Sequence, residues 1–320
     1  MKEPKVTFVI PCLNSSDTIG DCVGHIMDLD YPMALKQVIV VDNGSKDQTV
    51  QISKERGAEV VSDPEASIAG LRNLGAQTGD GELLVFVDSD CLLRPNWLRV
   101  ALKHLGDDSV GLTGSKTYDL ADGATWVEKA WKVHLDYSGE GSNPGWLTTR
   151  AIAVRRDVFD KIGGFDQEKT TCEDVDLGYS IGKTHKIVVD KELSPIHLKN
   201  PTTLKELYGK EKWRGKDSLL TSLEYFTSGR WRLNELISLA LPFYYSFFFV
   251  VLIVGLLLSL VGKLLGLKMV ISCLFLMMIP VALLALRTVK ARGENDQFRS
   301  LFLVYSVYIA ARTRAVFSLR

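Results

Sequence analysis

The chain has 320 residues and carries 38 Lys and Arg against 38 Asp and Glu, so its formal net charge is zero. Proteins that bind nucleic acids through a large surface usually carry a basic surplus, so this balance argues against nucleic acid as a partner. With 46% hydrophobic and 24% charged residues, the composition is that of a folded protein and not of a disordered one. The five cysteines include no Cys-x-x-Cys pair, which argues against a disulfide framework or a zinc site.

Apolar strands alternate with helices in the first third of the chain. We predict strands at residues 5–11, 35–45, 58–61 and 81–90. Helices are predicted between them, at residues 15–30, 47–56 and 72–78. This alternation indicates βαβ units and a mainly parallel sheet, in which ligands bind beyond the carboxyl ends of the strands. We therefore expect the functional site at the strand ends, in the segments 11–14, 42–45 and 88–90.

The pattern is looser beyond residue 110. We predict a strand, a helix and a Gly-Gly turn within residues 148–165, then a helix at 175–184 and a short strand at 185–193. Residues 201–235 are amphipathic and rich in Lys, Trp, Tyr and Leu. Because apolar runs follow this stretch, we expect its residues 216–235 to lie in a membrane interface.

Two runs near the carboxyl terminus, residues 236–262 and 269–286, contain no charged side chain. A helix of about 20 apolar residues spans the hydrocarbon core of a bilayer. We therefore predict an integral membrane protein with helices at about 236–262 and 267–287. The tail that follows is basic, so the positive-inside rule places both the tail and the amino-terminal domain in the cytoplasm. We expect this tail to form an interfacial helix, a third span at 299–320 being the alternative.

Two carboxylates, Asp88 and Asp90, follow the most apolar strand and are separated only by Ser89. Like charges at the mouth of a buried strand repel each other unless a cation neutralises them, and Mg²⁺ or Mn²⁺ is the natural partner of oxygen ligands. A turn that caps the next helix is the alternative interpretation. Asp42 ends a second strand and can accept hydrogen bonds from a base or a ribose, whereas Asp47 is expected to cap a helix.

A second acidic cluster opens the helix near residue 175, where Glu173, Asp174 and Asp176 lie within four positions. One of these carboxylates could face a reaction centre as a general base. The alternative is a favourable interaction of acidic side chains with the amino-terminal end of the helix dipole.

Taken together, these motifs resemble those of family 2 glycosyltransferases with the GT-A fold. The matching segments, in the family's order, are VTFVIPCLN (6–14), VDNGSKDQT (41–49), GLRNLG (70–75), FVDSDC (86–91), RRDVFDKIGGFD (155–166) and CEDVDL (172–177). The resemblance covers about residues 5–215. It implies a Rossmann-like α/β catalytic domain at 1–215, followed by the interfacial segment at 216–235 and a membrane region at 236–320. The implied reaction is the transfer of a sugar from a nucleotide diphosphate sugar to a hydroxyl, with inversion of the anomeric centre.

The resemblance also implies a role for each matching residue. Asp174 would be the catalytic base. The implied contacts to the nucleotide sugar are Pro11, Asn14, Asp42, Arg72, Asp88, Ser89 and Arg214. The implied metal ligands are Asp88, Asp90 and His197, and the implied acceptor contacts are Glu173, Asp176 and Trp146. Three of these have alternatives: His197 as a solvated loop residue, Arg214 facing lipid phosphates, and Trp146 in the core.

The implied partners are a nucleotide-sugar donor, a lipid-linked or glycan acceptor and the membrane. A UDP-sugar is the expected donor and a GDP-sugar the alternative. The Gln-x-x-Arg-Trp motif of processive polymerases is absent from the sequence, which argues against the synthesis of long polymers. Two other functions stay open. One is a polyisoprenyl-phosphate glycosyltransferase, a group that usually lacks the Glu-Asp-x-Asp-Leu motif found here. The other is a non-catalytic scaffold that binds sugar nucleotides.

Overall fold

The computed structural model of the chain describes residues 3–139, 145–168, 172–227, 233–262, 264–293 and 295–316. Its contacts divide the chain into two compact units. The first unit consists of residues 1–123 and 138–200, and the second of residues 124–137 and 201–320. All the described strands belong to the first unit, and the second is built from helices.

The strands of the first unit form one large and one small sheet. In chain order they are β1 Val6–Cys12, β2 Lys36–Asp42, β3 Glu59–Ser62, β4 Leu83–Val87, β5 Cys91–Leu92, β6 Val110–Gly114, β7 Asp119–Leu120, β8 Ala151–Arg155, β9 Lys186–Val189 and β10 Ile196–His197. The large sheet has the order β3-β2-β1-β4-β8-β6-β9, and the small sheet has the order β5-β10-β7. In the large sheet β8 runs antiparallel to both neighbours, whereas the other pairs are parallel. The predicted mainly parallel sheet is therefore confirmed.

The helices, in chain order, are α1 Ile19–Met27, α2 Thr49–Glu55, α3 Ile68–Thr78, α4 Trp97–Leu105, α5 Trp126–Gly139, α6 Arg156–Lys161, α7 Glu173–Gly182, α8 Leu204–Thr227, α9 Leu233–Leu260, α10 Leu264–Arg292 and α11 Phe298–Val316. Two of them, α1 and α3, start four residues away from the predicted positions. Helix α1 begins later than residue 15, after Thr18. Helix α3 begins before residue 72 because the Ser67 hydroxyl accepts a hydrogen bond from the Gly70 amide and so caps the helix.

Hydrophobic clusters cover both faces of the large sheet, and every residue of its inner strand β1 is buried. Phe8 and Ile10 pack into the hydrophobic cluster on one face, and Val9 packs into the cluster on the other, as the two-residue period of a strand requires. Helix α3 lies so close to β1 that a Cβ atom at Gly75 would be 2.3 Å from Cγ1 of Val9. This packing holds Arg72 of α3 next to the sheet.

The carboxyl ends of β1, β2 and β4 lie side by side. Cys12 at the end of β1 pairs with Asp42 at the end of β2, and Val9 of β1 pairs with Phe86 of β4. The segments that follow these strands therefore leave the same edge of the sheet, as the sequence predicts for a parallel arrangement.

The second unit is formed by α5, α8, α9, α10 and α11. Its buried cluster includes Trp131, Leu207, Tyr245, Val281, Leu301, Val304 and Tyr305. Helix α8 runs without a break through residue 215, where the sequence places the end of the catalytic domain. Helix α11 buries one apolar side against this unit. The predicted three-part division of the chain and the interfacial roles of its segments stay predictions.

Among the described residues, two helices of this unit are long and apolar enough to cross a membrane. They are Ala240–Leu260, with 21 residues, and Leu264–Arg292, with 29 residues, and their most apolar 18-residue segments have mean hydropathies of 2.4 and 2.7. Only 11% and 17% of their most apolar segments are buried inside the protein, unlike the core helix of a soluble protein. Both helices agree with the predicted spans in position, length and composition.

Candidate active site

Hydrogen bonds join the loops after β1 and β2. The Asn14 amide donates to Oγ of Ser45 at 2.8 Å, and Oδ1 of Asn14 accepts from the Lys46 amide at 2.9 Å. Asn14 has a φ of 48°, a left-handed conformation that Asn tolerates better than most residues. Pro11 lies within β1 and pairs with Val41. The two predicted nucleotide-binding loops are thus held as one surface.

Asp42 is almost completely buried and shapes its own turn. Its carboxylate accepts hydrogen bonds from the Gly44 amide at 3.0 Å and from the Ser45 amide at 3.1 Å. Gly44 has a φ of +82°, which explains the Asn-Gly turn seen in the sequence. Asp47, expected as a helix cap, accepts from the Thr49 amide at the start of α2. Asp42 therefore fixes the loop on which a base would lie, and its predicted contact with the base stays a prediction.

An ion-pair chain connects the two acidic clusters of the sequence. Arg72 is buried, and its Nη2 lies 3.0 Å from Oδ1 of Asp88 while its Nη1 lies 2.5 Å from Oε1 of Glu173. Ser89, the next residue after Asp88, is linked to the first loop, because its hydroxyl lies 3.0 Å from the hydroxyl of Ser15. Segments about a hundred positions apart in the chain therefore meet at one place.

Asp174 follows Glu173 in the first turn of α7 and differs from it in its partners. Its Oδ1 accepts a hydrogen bond from the Val175 amide at 2.9 Å. Burial of the carboxyl and the negative charge of Glu173 raise the pKa of Asp174 to about 7, against the opposing charge of Arg72. A carboxyl with such a pKa exchanges its proton near neutral pH, which is what a general base requires.

Three side chains near the end of β4 could hold a metal ion. Ligand atoms of Asp90, Cys91 and His197 lie within 4.8 Å of one another, and Nε2 of His197 is 3.5 Å from Oδ2 of Asp90. His197 belongs to β10, where it pairs with Cys91 of β5, so it is a strand residue and not a solvated loop residue. A carboxylate and an imidazole are ordinary ligands of divalent ions, so this donor set fits such an ion. Asp88, whose Oδ1 contacts Arg72, is not a member of this group of described residues.

One aromatic and one basic residue beside this group, Tyr118 and Arg150, were not predicted from the sequence. The Tyr118 ring lies 5.1 Å from the ring of His197, and the guanidinium of Arg150 lies 4.8 Å from the centre of the Tyr118 ring. Neither residue is in a recognised motif. The pairing of β8 with β4 could have indicated Arg150, because it places the residue before Ala151 opposite Asp88.

The remaining predicted residues lie on α7, on the segment before β8 and in the second unit. Asp176 is half-buried in the first turn of α7. Trp146 is also half-buried, and Nζ of Lys116 lies 4.9 Å from the centre of its ring. Arg214 belongs to α8 of the second unit, where its Nη1 is 3.4 Å from Oε1 of Glu211. The binding roles of these three residues stay predictions.

Comparison with known proteins identifies the family. Residues 7–165 match the family described as glycosyl transferase family 2. The chain belongs to this family. Membership confirms the predicted enzyme class, a glycosyltransferase, because the curated relatives are also named glycosyltransferases.

Two of these relatives illustrate how far the likeness extends. The glycosyltransferase AglE of Haloferax volcanii is 26% identical over 200 residues, which cover 58% of this chain and 66% of that protein. The pre-mycofactocin glycosyltransferase of Mycobacterium tuberculosis is 28% identical over 184 residues, which cover 54% of this chain and 38% of that protein. This family 2 chain thus spans less than two thirds of the length of these relatives.

The fold of this glycosyltransferase is shared with a solved structure. The mannosyltransferase PcManGT from Pyrobaculum calidifontis, in complex with GDP-Man and Mn²⁺, has a TM-score of 0.66 at 17% identity. The likeness covers 100% of this chain and 89% of that chain. It confirms the predicted GT-A fold class.

Proposed function

We propose that this chain is a membrane-anchored inverting glycosyltransferase. It moves a sugar from a nucleotide diphosphate sugar to a hydroxyl of a lipid-linked or membrane-proximal glycan. The observation that carries the proposal is the ion-pair chain of Asp88, Arg72 and Glu173. It joins the strand-end acids, where a donor is expected, to the helix start that presents Asp174, where an acceptor is expected.

The donor is assigned to the loops after β1, β2 and β4, with contacts from Pro11, Asn14, Asp42 and the segment 88–90. Ser15 and Ser89 hold two of these loops together, which supports a single binding surface. A UDP-sugar is the proposed donor and a GDP-sugar the alternative. The GDP-Man in the mannosyltransferase of the same fold supports a nucleotide diphosphate sugar in general.

A divalent ion would be held by Asp90 and His197, with Asp88 nearby. When bound, such an ion offsets negative charge on the diphosphate. Imidazole is a better ligand for transition metals than for Mg²⁺, which favours Mn²⁺. The chain's own residues contribute by fixing the ligands: His197 is held in β10 and Asp90 lies beside it at 3.5 Å.

Asp174 is the proposed base. A hydroxyl becomes a better nucleophile as its proton is removed, and the raised pKa of Asp174 suits this transfer near neutral pH. The hydroxyl attacks the anomeric carbon from the face opposite the departing diphosphate, so the configuration inverts. Glu173, Asp176 and Trp146 are assigned to the acceptor side because they lie on or near α7.

The exchange Asp174→Asn tests this assignment. Transfer to the acceptor is expected to fall by a factor on the order of 10² to 10⁴, whereas binding of the donor stays the same, because Asn keeps the shape but cannot take a proton. Full transfer by this variant would contradict the assignment. Glu192→Gln is the matched control, since Glu192 is an exposed carboxylate outside α7.

The same variant separates the alternatives. A lipid phosphate is already a nucleophile and needs no base, so a polyisoprenyl-phosphate glycosyltransferase would keep its activity in Asp174→Asn. A scaffold would bind nucleotide sugars without turnover in the wild type.

We propose that the catalytic domain faces the cytoplasm, and the excess of basic residues after the apolar helices supports that orientation.

A further inference from the structure

Arg150 lies at the edge of the acidic site without being part of any motif. It immediately precedes β8, and β8 pairs with β4 so that Ala151 faces Val87. The carbonyl oxygen of Arg150 accepts a hydrogen bond from the Asp88 amide at 3.1 Å. The backbone of Arg150 is therefore fixed next to the segment in which the donor is proposed to bind.

The guanidinium of Arg150 is held by neutral groups. It lies 4.8 Å from the centre of the Tyr118 ring, and its Nη1 lies 3.3 Å from Oγ1 of Thr148. No carboxylate of the described residues forms an ion pair with it. Its position on the face of an aromatic ring fixes its orientation without neutralising its charge.

Arg72 is different in this respect. Its side chain is only 4% exposed and contacts both Asp88 and Glu173, so two carboxylates already neutralise its single charge. Arg72 is one of the predicted donor contacts, but a second anion there would have to displace an existing ion pair. Arg150 is half-buried and has no such competitor among the described side chains.

The surroundings of Arg150 also connect it to the candidate metal ligands. The Tyr118 ring that supports the guanidinium lies 5.1 Å from the ring of His197, and His197 contacts Asp90. Burial and Glu173 raise the pKa of Asp174, and Arg150 is one of the charges that opposes this rise. The guanidinium therefore lies within electrostatic range of both the metal ligands and the proposed base.

We propose that Arg150 binds the diphosphate of the nucleotide-sugar donor and neutralises the negative charge that grows on it as the sugar departs. This inference rests on the proposed function. A guanidinium offers paired N–H donors in a geometry that matches phosphate oxygens. Because Tyr118 already holds it in place, little conformational freedom is lost when the donor binds.

The test compares dissociation constants for UDP, UMP, GDP and GMP, measured by calorimetry on the full chain in detergent with Mn²⁺. Arg150→Gln is expected to weaken the preferred diphosphate by roughly tenfold to a hundredfold, the loss of a charge-assisted hydrogen bond, and to leave the monophosphate within about threefold. Arg155→Gln is the matched control, because it removes the same charge at the other end of β8, where Asp108 and Asp157 are the partners.

Each outcome decides one question. Equal diphosphate affinity in Arg150→Gln and the wild type overturns the role of Arg150 and leaves the proposed function intact. An equal loss for monophosphate and diphosphate also overturns it, because that pattern indicates a general structural role. If the wild type binds none of the four nucleotides, the proposed function itself fails. Should Arg150→Gln not fold, Arg150→Met takes its place, because it also removes the charge. A ratio of UDP to UMP affinity, or of GDP to GMP affinity, equal to that of the wild type would then overturn the proposal.

Discussion

Glu173 and Asp174 are neighbours in the chain, but their carboxyl groups have different partners. Glu173 is paired with the buried Arg72, whereas Asp174 receives one backbone hydrogen bond and has a raised pKa. Two adjacent carboxyls whose environments differ in this way can take different roles, one positioning and one exchanging protons. Arg72, which pairs with both Asp88 and Glu173, holds Glu173 in the positioning role and leaves proton exchange to Asp174.

Glu173→Gln is therefore expected to move the acid limb of the kcat/KM profile to lower pH. Burial raises the pKa of Asp174 first, and the negative charge of Glu173 adds to that rise, so removing the charge lowers the pKa. A base is inactive when protonated, so activity is lost as the pH falls through its pKa, and the limb follows the pKa downward. The measurement is the pH dependence of sugar transfer between pH 5 and 9, a range chosen around neutrality.

Glu192→Gln serves again as the control and should leave the limb in place. A limb in Glu173→Gln that does not move, or that moves to higher pH, would show that Asp174 is not the group that titrates. A Glu173→Gln variant with no activity at any pH would indicate that Glu173 acts mainly by holding Arg72. In that case calorimetry should show that the variant binds the donor more weakly than the wild type.

The acids of the candidate site are predictable from the sequence, whereas the groups around them are not. Asp42, Asp88 and Asp90 could be found because the ends of apolar strands are readable from the pattern. Tyr118 could not, because only its ring contacts with Arg150 and His197 place it there. Arg150 could not either, because its place depends on β8 pairing antiparallel with β4 across about sixty positions of the chain. The partner of Arg72 was missed for the same reason, since Glu173 lies 101 positions away.

Helix α7 carries Asp174, and its position depends on the close approach of Gly178 to the backbone of Trp146. A Cβ atom at Gly178 would lie 2.4 Å from Cα and 2.6 Å from Cβ of Trp146. Gly178→Ala is expected to push α7 away from that backbone, to cost roughly 1–3 kcal/mol of stability and to reduce transfer because Asp174 moves. Thermal unfolding and a transfer assay measure the two effects.

Gly182 of the same helix provides the matched control. Its nearest neighbour would be Cδ1 of Ile187 at 3.8 Å, an ordinary contact, so Gly182→Ala should be neutral or slightly stabilising. A Gly178→Ala variant as stable and as active as Gly182→Ala would contradict the described packing of α7.

Helices α8 and α11 of the second unit are joined by a buried charge. The Glu211 side chain is only 1% exposed, and its Oε2 accepts from Nη2 of Arg312 at 2.7 Å and from Nε at 3.0 Å. Arg312→Ala would leave this carboxylate with the longer contact to Arg214, at 3.4 Å, and is expected to destabilise the protein by roughly 3 kcal/mol. Thermal unfolding in detergent provides the measurement.

Arg299→Ala is the corresponding control, because Arg299 is an exposed residue of α11. If both variants unfold at the same temperature, the contact between Arg312 and Glu211 does not stabilise the unit. The sequence gives no indication of this contact, since the amphipathic pattern of α8 predicts which side is buried but not which charge faces it.

At the scale of the molecule, composition predicted two parts, a charged α/β part and an apolar helical part, and the structure contains both. The unit that contains the apolar helices also includes residues 124–137, which composition does not group with them. Within that unit Nδ1 of His134 lies 3.2 Å from the hydroxyl of Tyr305, which is 171 positions away. Hydropathy patterns describe neighbouring residues and cannot indicate that a segment from the middle of the chain joins the last helix.

The central claim is that the chain uses metal-dependent binding of a nucleotide diphosphate sugar for transfer. Nucleotide release is the most direct measurement, made on the full chain in membranes with a panel of UDP- and GDP-sugars, with Mn²⁺ or Mg²⁺ or with a chelator. We predict release from one donor that requires the metal and falls by a factor on the order of 10² or more in Asp90→Ala, as expected when charge stabilisation is lost. If the wild type released nucleotide equally fast with chelator and with metal, or if Asp90→Ala released it as fast as the wild type, metal-dependent donor binding would be contradicted.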